Sequence, residues 1–319
     1  MILLKIRLFF SSDIHGSEIC FKKFISAGKF YKANILILGG DITGKAIIPI
    51  VKHENGSFTI KYLGKIFNPS SEEELNKIAG EIRNSGYYIY LCSLKEKEDL
   101  ENDVDKRDKL FSELMKKNVR EWLKLAEEKL KGTGIKCFIM PGNDDRLDID
   151  QVFKESNYII NPEGKVIEIN SEYEMISTGY ANITPWNCPR DIPEEKLNEK
   201  IEEMISSVKN LKNCIFNFHV PPYNSGLDTA PKLDEQFKIK VTAGRPEMEP
   251  VGSKAVRSAI EKYQPLLGLH GHIHESKGVH KIGRTLCINP GSEYQEGVLR
   301  GAIVDLEKGK IKDFLLTSG

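Results

Sequence analysis

The chain has 319 residues, 46 Lys and Arg against 46 Asp and Glu, and 40% hydrophobic content. That composition excludes wholesale disorder, and the length allows a proper buried core in one large domain or two small ones at about 150 residues each. A net charge of zero supplies no global field to hold nucleic acid or an anionic membrane.

The opening run MILLKIRLFF is interrupted by Lys5 and Arg7, and no small-residue cleavage site follows it. It reads as a first strand, and no stretch approaches the roughly 18 apolar residues of a membrane span. A soluble, cytoplasmic protein is expected. Ile6 to Ser11 predicts a buried strand, Glu18 to Tyr31 a helix and Asn34 to Leu38 a second buried strand. This βαβ start favours an α/β fold. Ala46 to Val51 and Ser57 to Phe67 predict a β-hairpin around Asn55-Gly56. Helices are expected over 71–84 and 98–131, with the apolar Tyr87 to Cys92 between them. In the second, Leu110, Leu114, Val119, Leu123 and Leu130 form an apolar stripe, and its mixed charges read as a solvated face. Gly132 and Gly134 end it.

Ile135 to Met140 predicts another buried strand, and Val166 to Ile169 with Tyr173 to Thr178 a strand pair. A helix is expected over Pro193 to Leu211, a strand over Asn213 to Phe218, and a helix over Ser253 to Tyr263 with Ser253 as N-cap. Leu266 to Leu269 and several strands from Gly278 to Leu316 follow, with turns at Gly283, Gly291 and Gly309. There is no repeat, low-complexity segment or linker. One domain over 1–319, with an inserted hairpin-plus-helices piece at about 45–131, fits best. Cys20, Cys92, Cys137, Cys188, Cys214 and Cys287 show no C-x-x-C spacing, and several lie in apolar runs. They read as buried, reduced thiols of an intracellular protein.

Five apolar runs end in side chains able to bind metal. FFSS leads to Asp13 and His15, ILIL to Gly39-Gly40-Asp41, and CFIM to Gly142-Asn143-Asp144-Asp145. CIFNF leads to His219, and LLGL to His270-Gly271-His272-Ile273-His274. Ligands in open α/β sheets collect at the carboxyl ends of strands. Singly, each cluster reads as a turn, a helix cap or a hydrogen-bonded structural residue; together they repeat one chemistry. Asp-x-His and His-x-His put alternate side chains on one side of an extended segment. Two Asp, one Asn and four His form a mixed N/O set suited to Mn, Fe, Co, Ni or Zn more than to Mg or Ca.

In that order, D-x-H, G-G-D, G-N-x-D, a lone His and G-H-x-H, the chain resembles the calcineurin-like metallophosphoesterases. The motifs span residues 13–274. The stretch from Val251 to Ile260, leading into HGHIHES, looks like prokaryotic members of unknown substrate. The resemblance implies a four-layer α/β/β/α sandwich of the metallo-dependent phosphatase type with its site at strand ends. It also implies a ligand set: Asp13, His15 and His274 on one cation, Asn143, His219 and His272 on a second, and Asp41 bridging. Two cations about 3.5–4 Å apart would present hydroxide for in-line attack on a phosphate ester and offset transition-state charge. Manganese is the expected metal in vitro. Asp41, Asp144 and His219 are the expected catalytic residues, and Asp144 and Asp145 are candidates to orient the imidazoles.

One position departs from the family. Many members carry His directly after the motif Asn; here it is Asp144. Nearby cations would push a carboxyl below its ordinary value of about 3.9, making Asp144 a poor general acid that repels a dianionic phosphate more than a monoanionic one. Phosphodiesters are therefore expected to be preferred, on a small molecule or nucleotide; alternatively, Asp144 points away and only orients a ligand.

Elsewhere, His53 reads as exposed, His280 as structural, and His270 as buried or supporting a ligand. Trp186 and Arg190 either reach the pocket or brace the core, Arg245 and Arg257 read as surface groups, and Asn289 to Ser292 as a turn. Two further function readings stay open: a nuclease of the same family, disfavoured by the zero net charge, and a non-catalytic metal-binding scaffold. The 45–131 piece reads as an oligomer or partner surface, or as a lid.

Overall fold

The structure is a computed structural model and describes residues 5–319; Met1 to Leu4, the head of the expected first strand, lie outside the described residues. The fold is mixed α/β with several sheets. The first sheet runs in the order Lys310–Ser318, Arg300–Glu307, Ile6–Ser11, Ile35–Gly39, Lys136–Met140. Its last three strands are parallel, and Ile6–Ser11 meets Arg300–Glu307 antiparallel. The second sheet runs Gly278–Ile282, Thr285–Asn289, Leu267–Leu269, Cys214–Phe218, Glu174–Thr178, Val166–Glu168, with parallel pairing through its four central strands.

These parallel strands read as continuous apolar runs because both of their faces are covered. Alternation assigns neighbours to different cores. Phe10 and Ile37 join Met175, Ile215 and Leu267 of the second sheet in one cluster. Phe9, Leu36 and Leu38 instead meet Phe21 and Phe24 of helix Glu18–Phe30, and Met115 and Trp122 of helix Val104–Leu130. Ile176, Phe216 and Phe218 meet Leu197 of helix Glu194–Ser206 and Val256 of helix Lys254–Tyr263. Phe10 is fully buried, and truncating such a residue costs about 3–5 kcal/mol.

Residues from the 45–131 piece build a further sheet in the order Lys65–Phe67, Phe58–Tyr62, Ile47–Lys52, Tyr88–Cys92. Helix Glu72–Asn84 supplies Ile78 and Ile82 to a cluster shared with Ile50 and Ile60. Among the described residues no helix is long and apolar enough to cross a membrane.

Several expectations are corrected. Ser57 to Phe67 is two strands, because Leu63 and Gly64 both take positive φ in a turn. The expected 98–131 helix is two, Leu94–Asn102 and Val104–Leu130, parted at Asp103. That residue is extended (φ −114°, ψ 102°), and its carboxylate accepts from Lys106 N, capping the second helix. The helix from Pro193 stops at Ser206, and Leu211 falls in a separate 3₁₀ turn. Short pairings within 229–250, two or three residues each, carry no periodicity and were not expected.

Candidate metal centre

Parallel pairing sends the carboxyl ends of the central strands to common edges, and the Asp, His and Asn side chains gather there. Asp13, His15 and His274 form one group whose ligand atoms all lie within 4.8 Å of one another, and Asp41, His219 and His272 form a second. His15 Nε2 lies 3.1 Å from His274 Nε2, and His274 Nε2 lies 3.5 Å from Asp13 Oδ1. Asp41 faces both groups: Oδ1 is 3.4 Å from His219 Nε2 and Oδ2 is 3.8 Å from His15 Nε2. The structure thus brings together all the ligand candidates that carry a carboxylate or an imidazole.

Asn143 is buried; its Nδ2 donates to Asp191 at 2.9 Å, while its Oδ1 has no partner. His219 Nδ1 bonds the Gly39 carbonyl at 2.9 Å, and its buried Nε2 is likewise unpartnered. An orphaned buried polar atom is rare because it forfeits its hydration without replacement. Two such atoms beside grouped carboxylates and imidazoles fit a cation site, and these residues could hold divalent metal.

The backbone is shaped for this convergence. Asp13, His15, Asp41 and His272 all adopt positive φ, between 38° and 68°. Such residues cost of order 1 kcal/mol or more each and cluster at functional sites. A Cβ on Gly142 would stand 2.2 Å from Asp41 Oδ1, and one on Gly271 would stand 2.2 Å from Asp13 Oδ2. Asp13 accepts from the His272 backbone N–H at 3.1 and 3.0 Å, and Ser292 Oγ donates to the Asp13 carbonyl at 2.6 Å.

Burial and mutual charge set the protonation states. Burial depresses His15 to about 3 and His272 to about 4, so both are neutral at pH 7, as ligands must be. Burial opposes the charge on His219, but with no cation present Asp41 and then Asp13 overcome it and hold the imidazole up at about 10, so a metal bound at Nε2 would have to displace that proton. Burial likewise works upward on both carboxyls, yet His219 and the other imidazoles hold Asp13 and Asp41 well below the usual range.

Asp144 turns toward this centre: its Oδ2 lies 3.7 Å from His15 Nδ1, its backbone N–H donates to Asp41 Oδ1 at 3.0 Å, and His15, Asp41 and Asp144 form a third metal-capable group. In the chain itself, burial and then Asp41 push its carboxyl up, while Lys45, 3.2 Å away, pulls it down. That differs from the expected lowering, which came from cations. Asp145 orients no imidazole. It is fully buried and accepts from the backbone N–H of Ile42 (2.9 Å), Thr43 (2.8 Å) and Gly142 (2.7 Å). It therefore ties the Asp41 loop to the Asn143 loop.

The other candidates separate. Arg190 is buried and braces the core, donating to the Asp145 carbonyl and pairing with Asp150 at 2.6 Å, whereas Trp186 is 67% exposed. His270 is buried with Nδ1 on the Phe218 carbonyl at 2.8 Å. His53 is half-buried and bonds Thr59, not free as expected, and His280 is exposed on its strand. Arg257 pairs with Glu261, and Arg245 is exposed. Asn289 Nδ2 donates to the Gly271 and Ile273 carbonyls, so the expected turn also supports the His272 loop. Five cysteines are buried, but Cys188 is only partly so, with Sγ 3.8 Å from Asp144 Oδ1. Sequence reasoning missed Lys45 and Asp191.

No family model matches the chain. An uncharacterized protein of Methanocaldococcus jannaschii is 33% identical over 153 residues, which are 47% of this chain and 62% of that protein. The match thus spans less than two thirds of that relative's length. Among solved structures, TT1561 of Thermus thermophilus is 14% identical at a TM-score of 0.53, over 99% of each chain. The phosphoesterase YfcE of E. coli is 12% identical at a TM-score of 0.35, over 97% of this chain and 98% of that one. At such identities the likeness to TT1561 is one of fold alone, and the likeness to YfcE carries no argument about activity.

Proposed function

We propose that this chain is a dinuclear-metal phosphoesterase of the calcineurin-like kind that prefers phosphodiesters. The observation that carries the reading is Asp41, whose two oxygens face two separate His/Asp groups in a chain holding the five motif blocks in order. Asp13, His15 and His274 would hold one cation, Asn143, His219 and His272 the other, and Asp41 both. Two such cations would supply Lewis-acid charge and a lowered water pKa.

The chain's own residues do the rest. Asp144 N–H, donating to Asp41 Oδ1, fixes the carboxylate between the groups. Asp191 sets which end of the Asn143 amide faces inward. Diester preference rests on Asp144, whose carboxyl sits beside Asp41 where many relatives carry His. Negative charge there disfavours a dianionic monoester more than a monoanionic diester, and Lys45 offsets part of it. The reading includes a single domain with an inserted 45–131 piece and a four-layer sandwich. The sandwich is supported by the core shared between the two large sheets and the helices packed on each outer face.

The test is hydrolysis of bis-p-nitrophenyl phosphate against p-nitrophenyl phosphate by metal-stripped protein reloaded with Mn²⁺. Metal-dependent diester turnover, lost in Asp41→Asn, is the expected result. A monoester preference would overturn the Asp144 argument and leave the enzyme; no turnover with Mn²⁺, Ni²⁺, Co²⁺ or Zn²⁺ would overturn the enzyme itself.

A further inference from the structure

The cavity at the metal centre is larger than a phosphate requires. It measures about 540 Å³ and extends from His15, Asp41 and Asn143 to Phe111, Trp186 and Cys188. A volume in that range takes a drug-sized ligand, so the ester arm of a substrate has room beside the phosphate.

The two tryptophans of the chain differ sharply. Trp122 is 5% exposed and stacks on Phe21, with ring centroids 4.2 Å apart and planes 6° from parallel. Trp186 lines the cavity and leaves 67% of its surface in water. A bare indole on a loose loop would mean little, but this loop is fastened. Asp191 Oδ2 accepts from Thr184 N at 2.9 Å, Thr184 Oγ1 at 2.5 Å and Cys188 N at 2.9 Å. Arg190 N donates to the Asn143 carbonyl at 3.1 Å, beside its buried guanidinium. The second oxygen of Asp191 holds Asn143 itself. One carboxylate thus positions both a candidate ligand and the loop that carries the indole. A fastened loop that keeps a large apolar ring wet next to a polar centre makes physical sense when a flat ligand covers the ring, because the ordering entropy of the loop is already spent.

We propose that Trp186 is a stacking platform for a planar aromatic group, an aryl ring or nucleobase, borne by the phosphate ester that enters the metal centre. The inference deepens the phosphoesterase reading and rests on it for the placement of the phosphate. Base–aromatic stacking tolerates any flat π-face, so the platform selects a class of ester arm and not one base. Lys45, in the same cavity, lies on the anionic side of such a ligand.

The test uses Zn²⁺-loaded protein and two probes sharing a phosphorylated ribose, AMP and ribose 5-phosphate. Calorimetry should show AMP binding roughly tenfold tighter, with saturable quenching of tryptophan fluorescence. Trp186→Ala should erase that difference while leaving ribose 5-phosphate affinity unchanged, and Trp186→Phe should restore most of it. Equal affinities in the wild type, no AMP binding at millimolar concentration, or a preference that survives Trp186→Ala would each overturn the platform. The two readings fail separately. Diester turnover with no AMP preference removes the platform alone, whereas an AMP preference lost in Trp186→Ala, with no turnover on any metal, keeps the platform and removes the phosphoesterase.

Discussion

Asp191 accepts a hydrogen bond from Asn143 Nδ2 at 2.9 Å, and this leaves the buried Asn143 Oδ1 as the amide atom free to meet a cation at the candidate metal centre. An amide rotates freely between two nearly isosteric ends, so without that acceptor nothing dictates which end faces a cation. Asp191→Ala should therefore weaken cation binding about 10–100-fold, the usual effect of removing a partner that orients a ligand. Competition against a chelator measures it directly. Unchanged affinity would mean that Asn143 holds no metal.

Gly142 tests the close approach of the two loops. A Cβ there would meet Asp41 Oδ1 at 2.2 Å and Asp41 N at 2.3 Å, one of them backbone and unable to swing aside. Gly142→Ala should cost about 1–3 kcal/mol of stability through the forced shift. It should also lower metal content at least tenfold, because the shift falls on the residue that faces both groups. Urea unfolding and elemental analysis of the purified variant give the two numbers. A variant that loads metal normally would show that Asp41 has more room than its surroundings indicate.

Asp145 separates bracing from binding. Its carboxylate satisfies backbone N–H groups of Ile42, Thr43 and Gly142, all out of water. Asp145→Ala orphans those donors, and the loss should be about 3 kcal/mol or more. Measured in metal-free buffer, that loss should persist, since it does not depend on a cation. Stability equal to wild type without metal would return Asp145 to the role of orienting a ligand.

What was legible in the sequence, and what was not, follows from the range of the interactions. Asp13, Asp41, Asn143, His219 and His272 each come within three residues of the end of a buried strand, so their convergence needs only parallel strands ending at a common edge. The periodic signals for Ile6–Ser11, Ile35–Gly39, Lys136–Met140 and Cys214–Phe218 held because burial on both faces demands continuous apolar runs. Asp103 was lost in the long charged stretch: Asp is common on a helix surface, and only its extended backbone marks it as a cap. Asp145 reads from the sequence as a candidate to orient an imidazole; its partners instead include Ile42 and Thr43, in a loop that no local pattern names. Lys45 and Asp191 were invisible for the same reason. Each acts on a residue far away in the chain, Asp144 and Asn143 respectively, and a single charged residue in a loop has no signature.

The Arg7–Asp305 pair carries a prediction about acid. The two residues face one another across antiparallel strands, with Arg7 Nε donating to Asp305 Oδ1 at 2.7 Å and Nη2 to Oδ2 at 2.8 Å. The bidentate bond to Arg7 outweighs burial and, with Lys5, holds the Asp305 carboxyl below its ordinary value. A carboxyl depressed in the folded state binds its proton more weakly there than in the unfolded chain. Its stabilisation is therefore fully present above the unfolded value of about 3.9 and fades as pH falls through that value toward the folded one. Arg7 is partly exposed, with 36% of its side-chain surface in solvent, so screening limits the pair to about 1 kcal/mol. Asp305→Asn should lower the urea midpoint at pH 7 by a corresponding amount, and the gap between variant and wild type should close as pH drops from about 5 to below 4. Running both in metal-free buffer keeps ligand protonation at the centre out of the comparison. A gap that stays constant over that range would show that Asp305 contributes through its shape and hydrogen bonds, and not through its charge.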